Sequence, residues 1–433
     1  MGLGVLVLGG GLAVAGNPAE KRFHKDQFID PATCGDCHVE IMEQWQGSMH
    51  NQSHTDPIYN RVAAFLRRGL SDRGEIAEAE SCVKCHTPVG YVTGFPEKFS
   101  DDLSRTPEIA RSGIQCDYCH TAVDVTRMYN NGLVLAPGQG EDDPGIKQGP
   151  FDDCEPDFHG AAYSKLHTSS RICGTCHNVK HVSFGTDLET TYTEWENSSY
   201  NHGDPDKRVT CQDCHMYQRP GIPATGITPR PKNPGTAVDD GPHRPHIFTH
   251  YFIGGNTGLA GDAQKGQMAQ ARLKNAAELS LDTRGLDRGK LRIRVKNSGA
   301  GHSLPTGVGD LRQVWLEVRV TDPSGALFFQ SGMLNPAHEL DPKAHIFRTV
   351  LGDGQGNPVV NLARAREVIS DTRIKAGDVA VREVDLGGKP AKGSQIRVRL
   401  LYRGMPQGLL NKIPGKKIAP LPVVEMEAVQ IKL

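Results

Sequence analysis

Five short segments of the chain share one arrangement that can do chemistry: two cysteines three positions apart, followed at once by a histidine. They read Cys34-Gly-Asp-Cys37-His38, Cys82-Val-Lys-Cys85-His86, Cys116-Asp-Tyr-Cys119-His120, Cys173-Gly-Thr-Cys176-His177 and Cys211-Gln-Asp-Cys214-His215. Two thiols at this spacing can both form thioethers with the vinyl groups of one porphyrin, and the histidine can then bind the iron. The pattern therefore predicts five covalently bound haems c, with proximal iron ligands His38, His86, His120, His177 and His215.

Zinc sites and disulfides are the alternatives for paired cysteines. Both use Cys-x-x-Cys units, but neither requires a histidine directly after every pair. The motifs take up ten of the eleven cysteines, which leaves Cys154 alone. We interpret Cys154 as a buried thiol or simply an unpaired cysteine. The less favoured alternative is a thiolate beside a haem, which would indicate sulfur chemistry.

The second axial position of each haem decides between an electron relay and a reactive site. A haem with histidine on both faces is a low-potential electron carrier, whereas an open face can bind a small molecule. Of the 18 histidines, 13 lie outside the motifs. The candidate distal ligands are His50, His159, His246 and His302. His54, one turn after His50, is the alternative to His50, and His167 lies nearer the fourth motif than His159 does. One of the trio His243, His246 and His250 is expected to be a ligand, with His246 favoured.

His302 is the candidate that lies farthest along the chain. It sits in the glycine-rich loop Gly299-Ala300-Gly301-His302-Ser303-Leu304-Pro305-Thr306-Gly307. Glycines let the backbone approach another group closely, so we expect this loop to reach back to a haem. A plain loop histidine is the alternative.

The length, the net charge and the N-terminal residues limit the class of protein. The chain has 433 residues, enough for two or three domains, and a formal net charge of -1, which favours neither nucleic acid nor an anionic membrane as a partner. The apolar segment 1–16 contains Ala13-Val14-Ala15, and we interpret it as an export signal, with a membrane anchor as the alternative. Haem c is attached outside the cytoplasm, so we expect a periplasmic or extracellular protein.

The part of the chain that carries the motifs reads as short helices and loops. We predict helices over residues 32–54, 58–70, 75–86, 163–166 and 190–199, and a hairpin turn at Tyr129-Asn130-Asn131-Gly132. Residues 216–256 are rich in proline, glycine and histidine and predict extended loop. We expect stacked haems to form much of the core of a domain over residues 17–262.

The composition then changes to alternating strands. After a predicted linking helix over 263–277, strands are predicted at 291–295, 314–320, 326–330, 366–369, 379–384, 395–402 and 423–431. Short strands separated by Gly/Pro turns are typical of an antiparallel β-sandwich. The fold class is therefore multidomain α+β, with a loop-rich, partly helical haem domain followed by an immunoglobulin-like β-sandwich over 263–433.

Residues 30–256 resemble the multihaem c-type cytochromes related to the tetrahaem cytochrome that accepts electrons from hydroxylamine oxidoreductase. The likeness rests on Trp45, Ser48 and His50, on Thr193-Glu194-Trp195, on the motifs and Met216, and on Phe252-Ile253-Gly254-Gly255-Asn256. The resemblance implies closely packed haem pairs with mostly bis-histidine ligation, and it favours His50, His159 and His246 as distal ligands. Pentahaem ammonia-forming nitrite reductases usually replace one motif histidine by lysine, which does not occur here.

The leading interpretation is an exported pentahaem cytochrome that passes electrons between redox partner proteins, with a surface or membrane-associated electron-transfer complex as one expected setting. The first alternative is a reductase or oxidase of a small nitrogen or sulfur compound at one open haem. Such a site needs proton-transfer groups, for which Arg111, Tyr118 and Tyr163 lie near motifs in sequence. The second alternative is self-assembly into an extracellular cytochrome filament.

Overall fold

The computed structural model describes residues 23–258, 262–308 and 311–433. The predicted export segment 1–16 lies outside the described residues. The described chain mixes helices and strands, with mostly short helices at first and several sheets after residue 277. Among the described residues, no helix has the length and apolar character needed to cross a bilayer.

Short helices run through the part of the chain that holds the motifs. Their bounds are α1 (Pro31–Gly35), α2 (Val39–Trp45), α3 (Pro57–Leu66), α4 (Arg73–Ser81), α5 (Val83–His86), α6 (Pro88–Thr93), α7 (Glu108–Arg111), α8 (Cys116–His120), α9 (Arg171–Gly174), α10 (Thr191–Glu196) and α11 (Cys211–His215). Aspartates begin α1, α3 and α4, where the side chains of Asp30, Asp56 and Asp72 accept hydrogen bonds from first-turn N–H groups. Such caps satisfy backbone donors that a helix start leaves unpaired.

Two of the predicted helices differ in the structure. The helix predicted over residues 32–54 is divided between α1 and α2, because His38 leaves the helical region at φ −94 and ψ 53. The helix predicted over residues 163–166 is wrong, since Gly160–Tyr163 forms a strand, β4, that pairs in parallel with β3 (Ile146–Gly149). That pairing is made with residues distant in sequence, so a local pattern does not reveal it.

The predicted hairpin at Tyr129 to Gly132 is confirmed. Strands β1 (Ala122–Val125) and β2 (Leu133–Leu135) pair antiparallel, and Asn130 and Asn131 take the φ values 51 and 59 between them. Asparagine tolerates this left-handed conformation better than most residues. The remaining strands of this region are β5 (Val179–Lys180) and β6 (Asp187–Glu189).

Two helices and eleven further strands follow in the described residues. Their bounds are α12 (Ala263–Leu273), β7 (Ala277–Asp282), β8 (Lys290–Asn297), β9 (Gln313–Thr321), β10 (Leu327–Ser331), β11 (Ile346–Phe347), β12 (Thr349–Gly352), β13 (Pro358–Val359), β14 (Glu367–Asp371), β15 (Val379–Asp385), β16 (Gln395–Arg403), α13 (Gln407–Leu410) and β17 (Val424–Lys432). The sheets have the orders β15-β8-β7, β10-β9-β16-β17 with β11 on β9, and β13-β12-β14. The predicted strands are thus found, whereas β7 and β11 to β13 were not predicted.

One hydrophobic core joins the two larger sheets. Leu291, Ile293 and Val295 alternate with charged residues along β8, and all three are fully buried. They pack in the same cluster as Val318 of β9 and Val398 of β16. The alternation puts one face of each strand into this core. The core holds the β-rich region together without any cysteine.

Replacing Ile293 by alanine is expected to destabilise this region by about 2–5 kcal/mol, because it leaves a cavity in a fully buried site. Val381→Ala, at a position 45% exposed on β15, is the matched control and is expected to cost less than about 1 kcal/mol. Urea unfolding followed by far-ultraviolet circular dichroism measures both. Equal midpoints for the two variants would contradict the packing described here.

Candidate functional site

Each motif folds as a single helical turn that brings its histidine back beside its first cysteine. The backbone N–H of His38, His86 and His177 donates to the carbonyl of the first cysteine of the same motif at 2.9, 3.1 and 2.9 Å. In the fifth motif, the Thr210 hydroxyl and the Asp213 carboxylate cap the turn reciprocally. The turn thus gathers two thiols and one imidazole in a small space, as the attachment chemistry requires.

Four of the five motif histidines bond a backbone carbonyl through Nδ1. The acceptors and distances are Ala237 O at 2.6 Å for His38, Ser53 O at 3.2 Å for His86, Gln148 O at 2.6 Å for His120 and Ile253 O at 2.8 Å for His215. A carbonyl only accepts, so Nδ1 carries the proton and Nε2 keeps a free lone pair. All four rings are therefore in the tautomer that can bind iron through Nε2.

His177 is the exception, because its Nδ1 lies 3.4 Å from a carboxylate oxygen of Glu189. Burial alone would raise the pKa of Glu189, but the contacts with His177 and Thr191 hold it below its usual value. The fourth motif thus has a charged partner where the others have a neutral one.

Three motif histidines face a second histidine across a gap of constant width. The ring centres of His38 and His159 are 6.4 Å apart, and those of His177 and His50, and of His120 and His250, are 6.3 Å apart. The planes are inclined by 25°, 31° and 27°. Rings in contact would lie about 3.5–4 Å apart, whereas a metal–nitrogen bond of about 2 Å on each side places ring centres roughly 6 Å apart. These gaps fit one iron between each pair.

Two of the facing histidines make the same kind of hydrogen bond as the motif histidines. The Nδ1 of His159 donates to Gly160 O at 2.9 Å, and the Nδ1 of His250 donates to Phe248 O at 3.0 Å. Their Nε2 atoms are therefore the free ones. His50 is half-buried and packs on Phe252 with ring centres 4.4 Å apart, and desolvation lowers its pKa to about 3.

His302 reaches the fifth motif from the β-rich region. Its Nδ1 donates to Ser303 O at 3.0 Å, so its Nε2 is also free. Burial lowers the pKa of His215 well below its usual value, and Arg272 and His302 both lie close enough to lower it further. Arg272 of α12 donates to the Cys214 carbonyl at 2.8 Å. The loop and the helix together cover the fifth motif.

His86 has a different neighbour. Tyr59 stacks flat on its ring, with centres 3.7 Å apart and planes inclined by 2°. The Tyr59 hydroxyl is buried and has no hydrogen-bond partner within the described part of the chain. Among the described residues, no histidine ring is paired with His86 across a gap like those above. The second motif therefore lacks the arrangement found at the first, third and fourth.

The remaining histidine candidates use their nitrogens differently. His246 Nδ1 accepts from the Asn233 N–H at 2.9 Å, which puts the proton on Nε2, and its ring stacks on Tyr217. His167 donates from Nε2 to the Cys119 carbonyl at 2.9 Å. His54 Nδ1 lies 2.8 Å from the Thr87 hydroxyl. His167 also stacks on His120, with ring centres 5.4 Å apart and planes inclined by 23°, but its Nε2 is already used by the Cys119 carbonyl. His246 and His54 form no ring pair with a motif histidine within the described part of the chain.

Other residues singled out in the sequence lie in ordinary structural settings. Arg111 donates to the Thr106 carbonyl at 2.8 Å, and the buried Tyr118 donates to Asn131 at 2.7 Å. Tyr163 is 52% exposed at the end of β4. Cys154 is half-buried, and its sulfur lies 3.8 Å from the Arg244 guanidinium.

The attachment cysteines of different motifs lie close to one another. The thiols of Cys34 and Cys116, of Cys85 and Cys176, and of Cys173 and Cys211 are near enough to shift each other's pKa. The first motif thus adjoins the third, and the fourth adjoins both the second and the fifth. Nothing in the sequence order of the motifs indicates these neighbours.

A carboxylate on α10 fastens the His302 loop to the motif-bearing part of the chain. Glu194 accepts from Ser303 N at 3.0 Å and from the Thr306 hydroxyl at 2.6 Å, and it pairs with Arg373. The Arg373 side chain is only 8% exposed. The sequence assigned no role to Glu194, although it lies in the Thr193-Glu194-Trp195 segment of the resemblance, and none to Glu189, because each acts through contacts with distant residues.

Glu194→Ala is expected to lower the free energy of unfolding by about 2–4 kcal/mol, because it leaves the buried Arg373 with only one carboxylate partner and two donors of the loop unpaired. Amide hydrogen exchange in residues 298–307 is expected to become faster in the same variant. Glu196→Ala, which removes an exposed carboxylate from the same helix, is the control, and it is expected to change stability by less than about 0.5 kcal/mol. Unchanged exchange in the Glu194 variant would contradict this role.

Comparisons with known proteins agree with the chemistry of the motifs. The family model described as cytochrome c554 and c-prime matches residues 33–121, which contain the first three motifs. No curated protein matches the chain significantly. The crystal structure of a penta-heme cytochrome c552 from Thermochromatium tepidum has a similar fold, with a TM-score of 0.64 and 22% identity over 94% of this chain and 100% of that one. The family match and the shared fold support a multihaem c-type cytochrome.

Proposed function

We propose that this protein is an exported pentahaem cytochrome c that passes electrons between redox partner proteins. The observation that carries the proposal is the set of motif histidines with a free Nε2, three of which face a second histidine at 6.3–6.4 Å. Multihaem cytochromes c serve electron transfer in general, which agrees with this interpretation. The domain bounds 17–262 and 263–433, and an immunoglobulin-like topology for the second domain, belong to the same proposal.

Three of the proposed axial pairs follow from the geometry of the rings: His38 with His159, His120 with His250 and His177 with His50. The fourth, His215 with His302, rests on the electrostatic interaction of the two rings and on the free Nε2 of His302. His250 replaces His246 in the proposal because the Nε2 of His246 carries the proton. His54 is left out because, in the described part of the chain, its ring is not paired with that of a motif histidine.

Each haem supplies one-electron exchange between Fe(III) and Fe(II). The chain binds the group through two thioethers, orients each imidazole through its Nδ1 bond, and excludes water by burial. The proximity of cysteines in different motifs favours short distances between neighbouring haems. This closeness supports a relay within the protein.

The spin state of the oxidised protein tests the relay. We expect five haems by intact mass, with four low-spin haems and one high-spin haem by magnetic circular dichroism. His302→Ala is expected to convert one further haem to high spin, because it removes the distal nitrogen of the fifth site. His243→Ala, at an exposed position, is the control and is expected to leave the spectrum unchanged. A colourless protein with the mass of the polypeptide alone would contradict the proposal as a whole.

A second candidate function is favoured by the surroundings of His86. The stacked Tyr59 and the lack of a facing histidine among the described residues leave the second haem without a proposed distal ligand. An open haem of this kind can bind a small molecule such as nitrite or hydroxylamine. The protein would then act as a reductase or oxidase at that site.

Carbon monoxide distinguishes the two functions, because it binds reduced haem only where an axial position is free. We expect the reduced protein to bind one equivalent and the His302→Ala variant to bind two, as measured by the Soret band. Turnover of nitrite or hydroxylamine with a reduced or oxidised dye would favour the enzyme. Absence of carbon monoxide binding would show that the second haem is also closed and would leave the relay alone.

A further inference from the structure

The fourth motif is distinguished by the charge of the group that holds its histidine. Its proximal ring has a carboxylate oxygen of Glu189 at 3.4 Å from Nδ1. The other four proximal rings all bond neutral backbone carbonyls. The difference therefore concerns one axial ligand among five that are otherwise alike.

Glu189 is fixed in this position by both parts of the chain. Its side chain is 14% exposed and accepts from the Thr191 hydroxyl at 3.1 Å. The Thr191 hydroxyl in turn accepts from the Gly307 N–H at 3.3 Å, in the loop that carries His302. The carboxylate is thus aimed at His177 by a chain of hydrogen bonds that begins in the β-rich region.

A carboxylate makes an axial imidazole a stronger electron donor than a carbonyl does. The negative charge attracts the Nδ1 proton and leaves more electron density at Nε2. A stronger donor stabilises Fe(III) relative to Fe(II), which lowers the reduction potential of the haem. The same haem with a carbonyl partner would be easier to reduce.

We propose that Glu189 is a positioning residue that lowers the reduction potential of the haem bound at Cys173 and Cys176. The inference rests on the proposed function, since it requires a haem with His177 as a ligand. Cys176 and Cys173 lie close to cysteines of the second and fifth motifs, so this haem lies between those two neighbours. An electron that enters it reduces Fe(III) to Fe(II) and leaves by the reverse step, and Glu189 sets how readily it enters.

Glu189→Gln in the full-length, haem-loaded protein removes the charge and keeps the size of the side chain. In a spectroelectrochemical titration, one of the five midpoint potentials is expected to move upward while the other four stay in place. The electron paramagnetic resonance signal of one low-spin haem is expected to change with it. Glu189→Asp, which keeps the charge, is expected to return both readouts toward the wild type. Glu196→Gln, which removes an exposed carboxylate nearby, is the matched control.

Five unchanged midpoints in a Glu189→Gln protein that still holds five haems would overturn the inference and leave the relay intact. Equal shifts in the Gln and Asp variants would also overturn it, because they would report a change of shape and not of charge. Loss of the five haems from the wild type would instead count against the proposed function. If Glu189→Gln does not accumulate with haem, Thr191→Val removes only the orienting hydroxyl, and a smaller upward shift of one midpoint is expected.

Discussion

The hydrogen bond at Nδ1 is the constraint on which the candidate sites depend. It fixes the ring, determines which nitrogen carries the proton and leaves Nε2 as the only atom able to bind iron. The acceptors are mostly backbone carbonyls, such as those of Ala237, Ser53 and Ile253. A carbonyl inside a long helix is already used by the helix itself. A region that must present many free carbonyls to imidazoles is therefore expected to be built of loops and short helices, and this region is.

The β-rich region takes part in the same arrangement. Its core is formed by its own strands, so it does not need a haem for its packing. It nevertheless extends one loop, fastened by Glu194, that brings His302 to the fifth motif and Thr306 to Thr191. Two candidate sites thus depend on residues more than 80 positions away in sequence. Separating the two parts of the chain would expose the fifth motif and release the hydroxyl that orients the Glu189 carboxylate.

The sequence predicted what is encoded locally and not what depends on distant contacts. Spacing alone predicts the ten cysteines and their histidines as haem-binding residues, and strict alternation identified β8 and β9. His246 was favoured over His250 although the two lie four positions apart, because no local pattern shows that the Asn233 N–H occupies the Nδ1 atom of His246. The helix predicted at 163–166 failed for a similar reason, since β3 supplies its backbone partners. His302 could be suggested only because glycines surround it.

The order of the motifs in the chain is not their order in space. The thiol of Cys34 lies near that of Cys116, and the fourth motif adjoins the second through Cys85 and the fifth through Cys211. The thiols of Cys119 and Cys176 also interact electrostatically, which places the third motif near the fourth. A linear chain of five sites has two ends, whereas this arrangement gives the fourth motif three neighbours. In the proposed relay, such branching would let electrons leave by more than one route. How strongly the fourth site holds an electron would then affect every route, and that is the property on which the carboxylate beside His177 is proposed to act.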